Sequence, residues 1–352
     1  MTYEWVIIGG GVQATTIALQ LRSLGLPKEQ LKMIDPHERL LGQFEMQTGR
    51  IGMPYLRSPL VHHCHPEPFD LKKFAKKEGY VQAMIGQYQR PRLDMFFDHT
   101  RYWIDAYELE TCHICQKARH LCQCDTLWEI ELEDGQKIKA QQLILAMGTH
   151  HTPFIPQIFQ HQPDVQHIHS EQLEPIAEVS HVVGSGISAG HLAIKLIKEN
   201  QDKTIHLWMK KDYEIHDFDA DPGWLGPKNM KHFQEEPLSE RALVNRQERH
   251  KGSMPKDMCM TLKNYEKQGR LIVHHTAIDH VEDHMIIAGD LKMHYDGIYL
   301  ATGFVPDLMT QPLLRDILAL PEAQLVSGYP RISDELEWLP HLFVSGLSLI
   351  HI

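Results

Sequence analysis

Two short runs of residues carry the chemistry most legible in this chain. Gly9-Gly10-Gly11-Val12-Gln13-Ala14 fits the pattern G-x-G-x-x-A, and Gly184-Ser185-Gly186-Ile187-Ser188-Ala189 repeats it far downstream. In each, the first glycine (Gly9, Gly184) makes a tight turn and the second (Gly11, Gly186) lets the backbone approach a pyrophosphate. The small sixth residue (Ala14, Ala189) lets a helix pack closely. The unpaired N–H groups and the positive dipole end of that helix then hold the phosphate charge. The two loops lead to different strand ends. The segment Leu31 to Asp35 (LKMID) ends in a carboxylate able to accept bonds from ribose hydroxyls. The segment Thr204 to Met209 (TIHLWM) is followed by Lys210 and Lys211, which attract a 2′-phosphate and favour NADPH over NADH, unless they are simply solvated lysines at a strand end.

Three further clusters could do chemistry. His62, His63, Cys64 and His65 stand between Pro59 and Pro66, so they occupy a restrained loop where an imidazole could move protons or could simply be solvated. Cys112, Cys115, Cys122 and Cys124 would suit either a structural zinc knuckle or four inert thiols. The C-x-C of the second pair is tighter than usual zinc spacing, so no metal is assigned. Arg241, Arg246, Arg249 and Lys251 form a basic set that is either a solvated helix face or a group reaching nucleotide phosphates.

The elements that must position these residues emerge from hydropathy patterning. EWVIIGGG is a β-branched run entering glycines, and Ile17, Leu21 and Leu24 then recur at helical spacing. His181 to Lys198 repeats this grammar, with Ile187, Leu192, Ile194 and Ile197 as the apolar set. Trp128 to Leu132 and Gln142 to Ala146 read as strands, with a hairpin signal at Asp134-Gly135. Prolines 153, 156 and 163 mark a linker. The fold class is therefore α/β, with two doubly wound dinucleotide-binding units.

Composition narrows the classes. The 352 residues include 42% hydrophobic and 23% charged side chains, as in ordinary folded proteins. With 35 basic against 46 acidic residues the net charge is −11, which disfavours nucleic acid and anionic lipid as partners. No apolar run approaches a membrane span and the N-terminus lacks a signal-peptide pattern, so a cytoplasmic location is expected. Most of the 25 histidines are read as solvated or satisfied in the core.

The two loops, with Leu143 to Gly148 (LILAMG) and Leu300 to Gly303 (LATG) closing the two segments, resemble the two-dinucleotide-domain flavoproteins. Met46-Gln47-Thr48 followed by Leu56-Arg57-Ser58-Pro59 is similar to a flavin-bordering segment of the lysine/ornithine N-monooxygenases. Gly186-Ile187-Ser188-Ala189 is similar to their G-x-S-A. Pro91-Arg92 with Tyr102-Trp103 resembles one of their helices at different spacing, and His169-Ser170 matches the linker of flavin-containing monooxygenases.

The resemblance implies FAD in the first unit and NADPH in the second, with Gly148 and Gly303 at the crossings between them. It implies Gln47 and Arg57 at the cofactor, with Gln47, His62 and His63 as the catalytic candidates. It also implies reaction of reduced flavin with O2 to a hydroperoxide that oxygenates a small amine or thioether. The expected domains are 1–155 (FAD, first part), 156–295 (NADPH, inserted) and 296–352 (FAD, return). The polar substrate residues of the N-hydroxylases have no matched position. Two rival readings are an NAD(P)H-dependent reductase of a quinone or disulfide partner and a non-catalytic nucleotide-binding sensor. The disulfide-reductase form needs a redox Cys pair beside the flavin, and the expected positions lack one. The tail Leu347 to Ile352 (LSLIHI) is expected to be appended to a truncated return segment.

Overall fold

The computed structural model describes residues 1–148, 152–176, 178–225, 227–305 and 310–346. The tail at 347–352 lies outside the described residues.

Two sheets organise the chain. The first runs Glu337–Leu339, Leu342–Val344, Lys137–Leu145, Thr2–Ile8, Leu31–Asp35, His113–Cys115. Its centre is parallel: Val6 sits opposite Lys32 on one side and Leu143 on the other. Parallel strands require both faces covered, and Val6, Ile7 and Ile8 are all buried as that demands. An antiparallel extension, Ala118–Cys124 against Leu127–Leu132 against Lys137–Leu145, carries the expected Asp134-Gly135 hairpin. Gly135 there takes φ +83°, which a residue with a Cβ rarely adopts.

The second sheet, Leu271–His274, Ile205–Trp208, His181–Val183, Ile298–Leu300, Val165–His167, is parallel throughout. The expected return to the first unit at residue 296 comes too early. The Ile298–Leu300 strand instead belongs to the second sheet, pairing with His181–Val183 and Val165–His167, so the chain leaves that sheet only after Leu300. The reason is burial: Ile298 and Leu300 are fully enclosed at the sheet centre.

Helix faces also differ from the apolar periodicity. In Val12–Ser23 the buried stripe is Ala14, Thr15, Ala18 and Leu19, while Leu24 is 75% exposed. Small residues face the sheet because the glycine loop brings the helix close to it. In Ile187–Glu199 the stripe is Ala189, Gly190, Leu192, Ala193, Leu196 and Ile197. A Cβ on Gly190 would stand 2.4 Å from the Met258 sulfur, so the Lys256–Lys267 helix packs directly on bare backbone.

The two crossing segments lie side by side. Pro153 forms an antiparallel bridge with Phe304, and the Val305 N–H donates to the Thr152 carbonyl at 2.9 Å. Gly148 (φ +73°) and Gly303 (φ +85°) make the turns that start them. Elsewhere the units are tied by long basic side chains. Arg50 reaches the Ile168, Ser170 and Glu171 carbonyls, and Lys195 caps the Gly42–Ile51 helix at the Gly49 and Arg50 carbonyls. A cation at that helix end is favoured by the dipole. Among the described residues no helix is long and apolar enough to cross a membrane.

Candidate functional site

The first glycine loop joins the Thr2–Ile8 strand to the Val12–Ser23 helix. Gly9 has φ +122°, and a Cβ there would meet the Ala146 carbonyl oxygen at 2.4 Å, so only glycine serves. Among the described residues a Cβ on Gly11 meets nothing within 4 Å, so they leave open space in front of the helix N-terminus. Space for a pyrophosphate and N–H groups to hold it therefore coincide, and the loop fits FAD. Ala14 is fully buried behind it. Asp35 accepts the Gly10 N–H at 2.8 Å and both the N–H and ring Nδ1 of His37. Burial pushes its pKa up, but these bonds outweigh it and hold the carboxyl below its ordinary value. Gly346 (φ +71°), beyond the Leu342–Val344 strand, lies against Gln13 of the same helix.

The second loop opens a cleft of about 1030 Å³. Gly184 repeats the constraint of Gly9, since a Cβ would meet the Ala301 carbonyl oxygen at 2.5 Å. Gly186 begins the Ile187–Glu199 helix, with Ser188 on the cleft wall and Ala189 buried. Lys210 and Lys211 line the cleft, and so do Arg246, Arg249 and Lys251 from the basic set. Arg241 does not: its guanidinium is spent on the Gln234 and Glu236 carbonyls over the Phe233 ring. Lys211 pairs with Glu214 and donates to the Lys251 carbonyl at 2.9 Å. A glycine-floored cleft with this many cations fits the pyrophosphate and 2′-phosphate of NADPH. His169 and Phe304 stack at 5.5 Å on its wall. The turn Ser327-Gly328-Tyr329, which also lines it, has only Gly328 as a sequence signal.

Arg57 belongs to the junction. Its guanidinium binds the His216, Asp217 and Phe218 carbonyls and the Ser253 hydroxyl, and it borders the second cleft. Gln47 sits half-buried on the Gly42–Ile51 helix, whose C-terminal end meets the second unit through Arg50 and Lys195. His62 is exposed. His63 is buried, its Nε2 3.1 Å from the Pro68 carbonyl and its ring edge-on to His99 at 5.1 Å. A carbonyl only accepts, so Nε2 carries the proton and Nδ1, which has no partner among the described residues, keeps its lone pair. Burial lowers the His63 pKa. Cys64, fully buried nearby, is pushed up to about 11 and is an inert thiol.

The cysteine cluster does not converge. Cys112 faces the Lys28 and Glu108 carbonyls and Cys115 the Pro36 carbonyl, while Cys122 and Cys124 adjoin at 3.9 Å on another strand. All six cysteines are free thiols.

This geometry defines a flavoprotein with two dinucleotide-binding units, one for FAD and one for NADPH. The L-lysine 6-monooxygenase/L-ornithine 5-monooxygenase family model matches residues 106–306, and that of FAD-NAD(P)-binding proteins matches residues 6–150. The chain belongs to the lysine/ornithine monooxygenase family and is an FAD- and NADPH-dependent oxidoreductase of the monooxygenase type. No curated protein sequence matches it.

Among solved structures it is similar to ornithine hydroxylase PvdA from Pseudomonas aeruginosa, at 16% identity over 100% of this chain and 93% of that one, TM-score 0.75. It is also similar to the ornithine N-hydroxylase KtzI of Kutzneria sp. 744, at 14% identity over 100% and 96%, TM-score 0.77. The bacillithiol disulfide reductase of Bacillus cereus shares the fold at 15% identity over 98% and 90%, with a lower TM-score of 0.61.

Proposed function

We propose that this enzyme hydroxylates the primary amine of a small molecule of the lysine or ornithine class, using NADPH and O2. The observation that carries the reading is the family match over residues 106–306, which spans both crossing segments and the whole of the second unit between them. Bound FAD and NADPH supply the redox chemistry, and the protein binds, orients and excludes water. The first glycine loop and Asp35 hold FAD, and the cationic cleft holds NADPH. In this reading Gln47 and Arg57, at the junction of the units, border the reacting rings.

His63 accepts a proton at its free Nδ1, since its other nitrogen is committed to the Pro68 carbonyl. His62 stands beside it on the exposed side of the loop, able to exchange that proton with solvent. Free cysteines throughout accord with a reducing compartment, and we place the enzyme in the cytoplasm.

The test is FAD-loaded enzyme with NADPH in air and a panel of lysine, ornithine, a diamine and a thioether, with products read by mass spectrometry. A hydroxylamine formed in proportion to NADPH consumed is the expected result. NADPH oxidation only with a quinone or disulfide, and no oxygenated product, would replace the reading with a reductase. No turnover with any acceptor would leave a nucleotide-binding sensor.

A further inference from the structure

Beside the cationic wall of the second cleft lies a group of side chains that the monooxygenase reaction does not use. We propose that Glu214, His216 and His250 form a binding site for one divalent transition-metal ion, with zinc the ion their donors suit. Among the described residues they are the only group of three metal-ligating side chains whose donor atoms all lie within 4.8 Å of one another. The His216 Nε2 stands 3.5 Å from a Glu214 carboxylate oxygen. Ligands about 2.0–2.1 Å from a tetrahedral ion are separated by about 3.4 Å, so this edge of the site already has its bound length. Two histidines and a glutamate are also a known zinc set that leaves a fourth position open.

The backbone holds the three together without the ion. Ile215 and Met254 form a parallel bridge, the His216 N–H donates to the Met254 carbonyl at 3.0 Å, and the Met254 N–H donates to the Glu214 carbonyl at 2.9 Å. The His250 N–H donates to the Asp219 carbonyl at 2.7 Å. Little order remains to be imposed on the loops by a ligand. The imidazoles are stacked, 3.5 Å apart and 7° from parallel. An imidazole lone pair lies in its ring plane, so the rings must fan apart about Cβ–Cγ to share an ion, and that torsion is broad and soft.

The local charge makes the site conditional. Glu214 is paired with Lys211, and Arg249 and Lys251 stand on the same wall. A dication must therefore take the carboxylate from Lys211 and bear the repulsion of the neighbouring cations. Both costs fall when a nucleotide phosphate occupies the cleft, because the released Lys211 ammonium gains a phosphate partner and the other cations are neutralised. Binding of the ion and of NADP(H) then reinforce each other by the same factor in either direction.

The test uses untagged, FAD-loaded enzyme and Zn2+ or Co2+ alone, read by equilibrium dialysis with elemental analysis. Wild type takes up one equivalent. Each of His216→Ala, His250→Ala and Glu214→Gln weakens uptake at least about tenfold, since even changes to residues behind metal ligands cost about 10–100-fold. FAD content and circular dichroism of the variants confirm folding. The cobalt form shows ligand-field bands without intense sulfur-to-cobalt absorption, which separates this site from the cysteines. In wild type Zn2+ tightens NADP+ binding, and in His250→Ala it does not. Uptake that is absent from wild type, unchanged in the variants or thiolate in its spectrum overturns the site. Uptake with no effect on NADP+ overturns the coupling. Neither outcome depends on whether the amine reading holds.

Discussion

The Asp35 carboxylate accepts the backbone N–H of Gly10 at 2.8 Å, so the acid that ends the second strand is anchored to the glycine loop that the first strand enters. A Cβ on Gly10 would stand 2.8 Å from the Asp35 Cβ, which explains a third glycine where the dinucleotide pattern requires only two. Loop and acid form one preorganised unit, so FAD binding responds to substitutions on either.

Replacing Gly11 with valine is expected to give a folded, colourless protein. The backbone at Gly11 is extended (φ −77°, ψ −170°) and its Cβ direction is open, so the fold tolerates the side chain while the pyrophosphate does not. Gly9→Ala is the contrast: at φ +122° and against the Ala146 carbonyl it destabilises the fold itself. Flavin absorbance per mole of protein and the unfolding temperature separate the two. Full flavin content in Gly11→Val would refute the placement of FAD.

Lys210→Glu together with Lys211→Glu is expected to raise KM for NADPH by tenfold or more and leave KM for NADH within a few-fold. A bond to a charged group contributes about 1.5–3 kcal/mol, and these side chains are exposed, which places the effect at the lower end. Lys210→Ala alone should account for more of the change than Lys211→Ala, because Lys211 must first be released from Glu214. Steady-state kinetics with both nucleotides check this. Unchanged preference would transfer the 2′-phosphate to Arg246 and Arg249.

Stability is expected to fall as pH drops below about 6.5. Burial depresses His99, His167, His191 and His274 to about 4 and His181 to about 3. In the folded state these rings stay neutral, whereas in the unfolded chain they protonate at ordinary values. The unfolded state therefore binds more protons between about pH 6.5 and 4, and stability is lost as pH falls through that window. Each such group contributes up to about 1.4 kcal/mol per pH unit. Denaturant midpoints at pH 7, 6 and 5 measure the slope. His181→Gln should make it shallower by one group's share.

Serine at Cys115, Cys122 and Cys124 together is expected to leave reduction of bound FAD by NADPH unchanged. The Cys122 and Cys124 sulfurs adjoin each other at 3.9 Å and the Cys115 sulfur meets the Pro36 carbonyl, so the three do not form one relay. Cys112→Ser, by contrast, places a hydroxyl in a fully buried position and should lower the unfolding temperature. Rapid-mixing reduction kinetics and thermal melts test both halves. Loss of flavin reduction in the triple variant would revive a thiol relay.

The sequence alone determined the two dinucleotide-binding units, the Asp35 and Lys210 ends that distinguish them, and the Asp134-Gly135 hairpin. These are local features. A tight turn requires glycine, a helix start presents N–H groups, and a strand end sets one side chain beside the loop, all within a few dozen residues.

Only the tertiary structure decided where the units divide, because Ile298–Leu300 could join either sheet and was assigned by burial between two parallel neighbours. It also decided which cations line the cleft. Arg241 and Arg246 share one helix, yet Arg241 is turned to the Gln234 and Glu236 carbonyls while Arg246 joins the wall. Likewise the cysteines, close in sequence, separate because the strands carrying them point their sulfurs to different partners. Glu214 and His250 meet across a bridge between loops far apart in the chain. Residue spacing encodes what neighbours along the backbone do, and contacts between distant segments arise only once the sheets and helices pack.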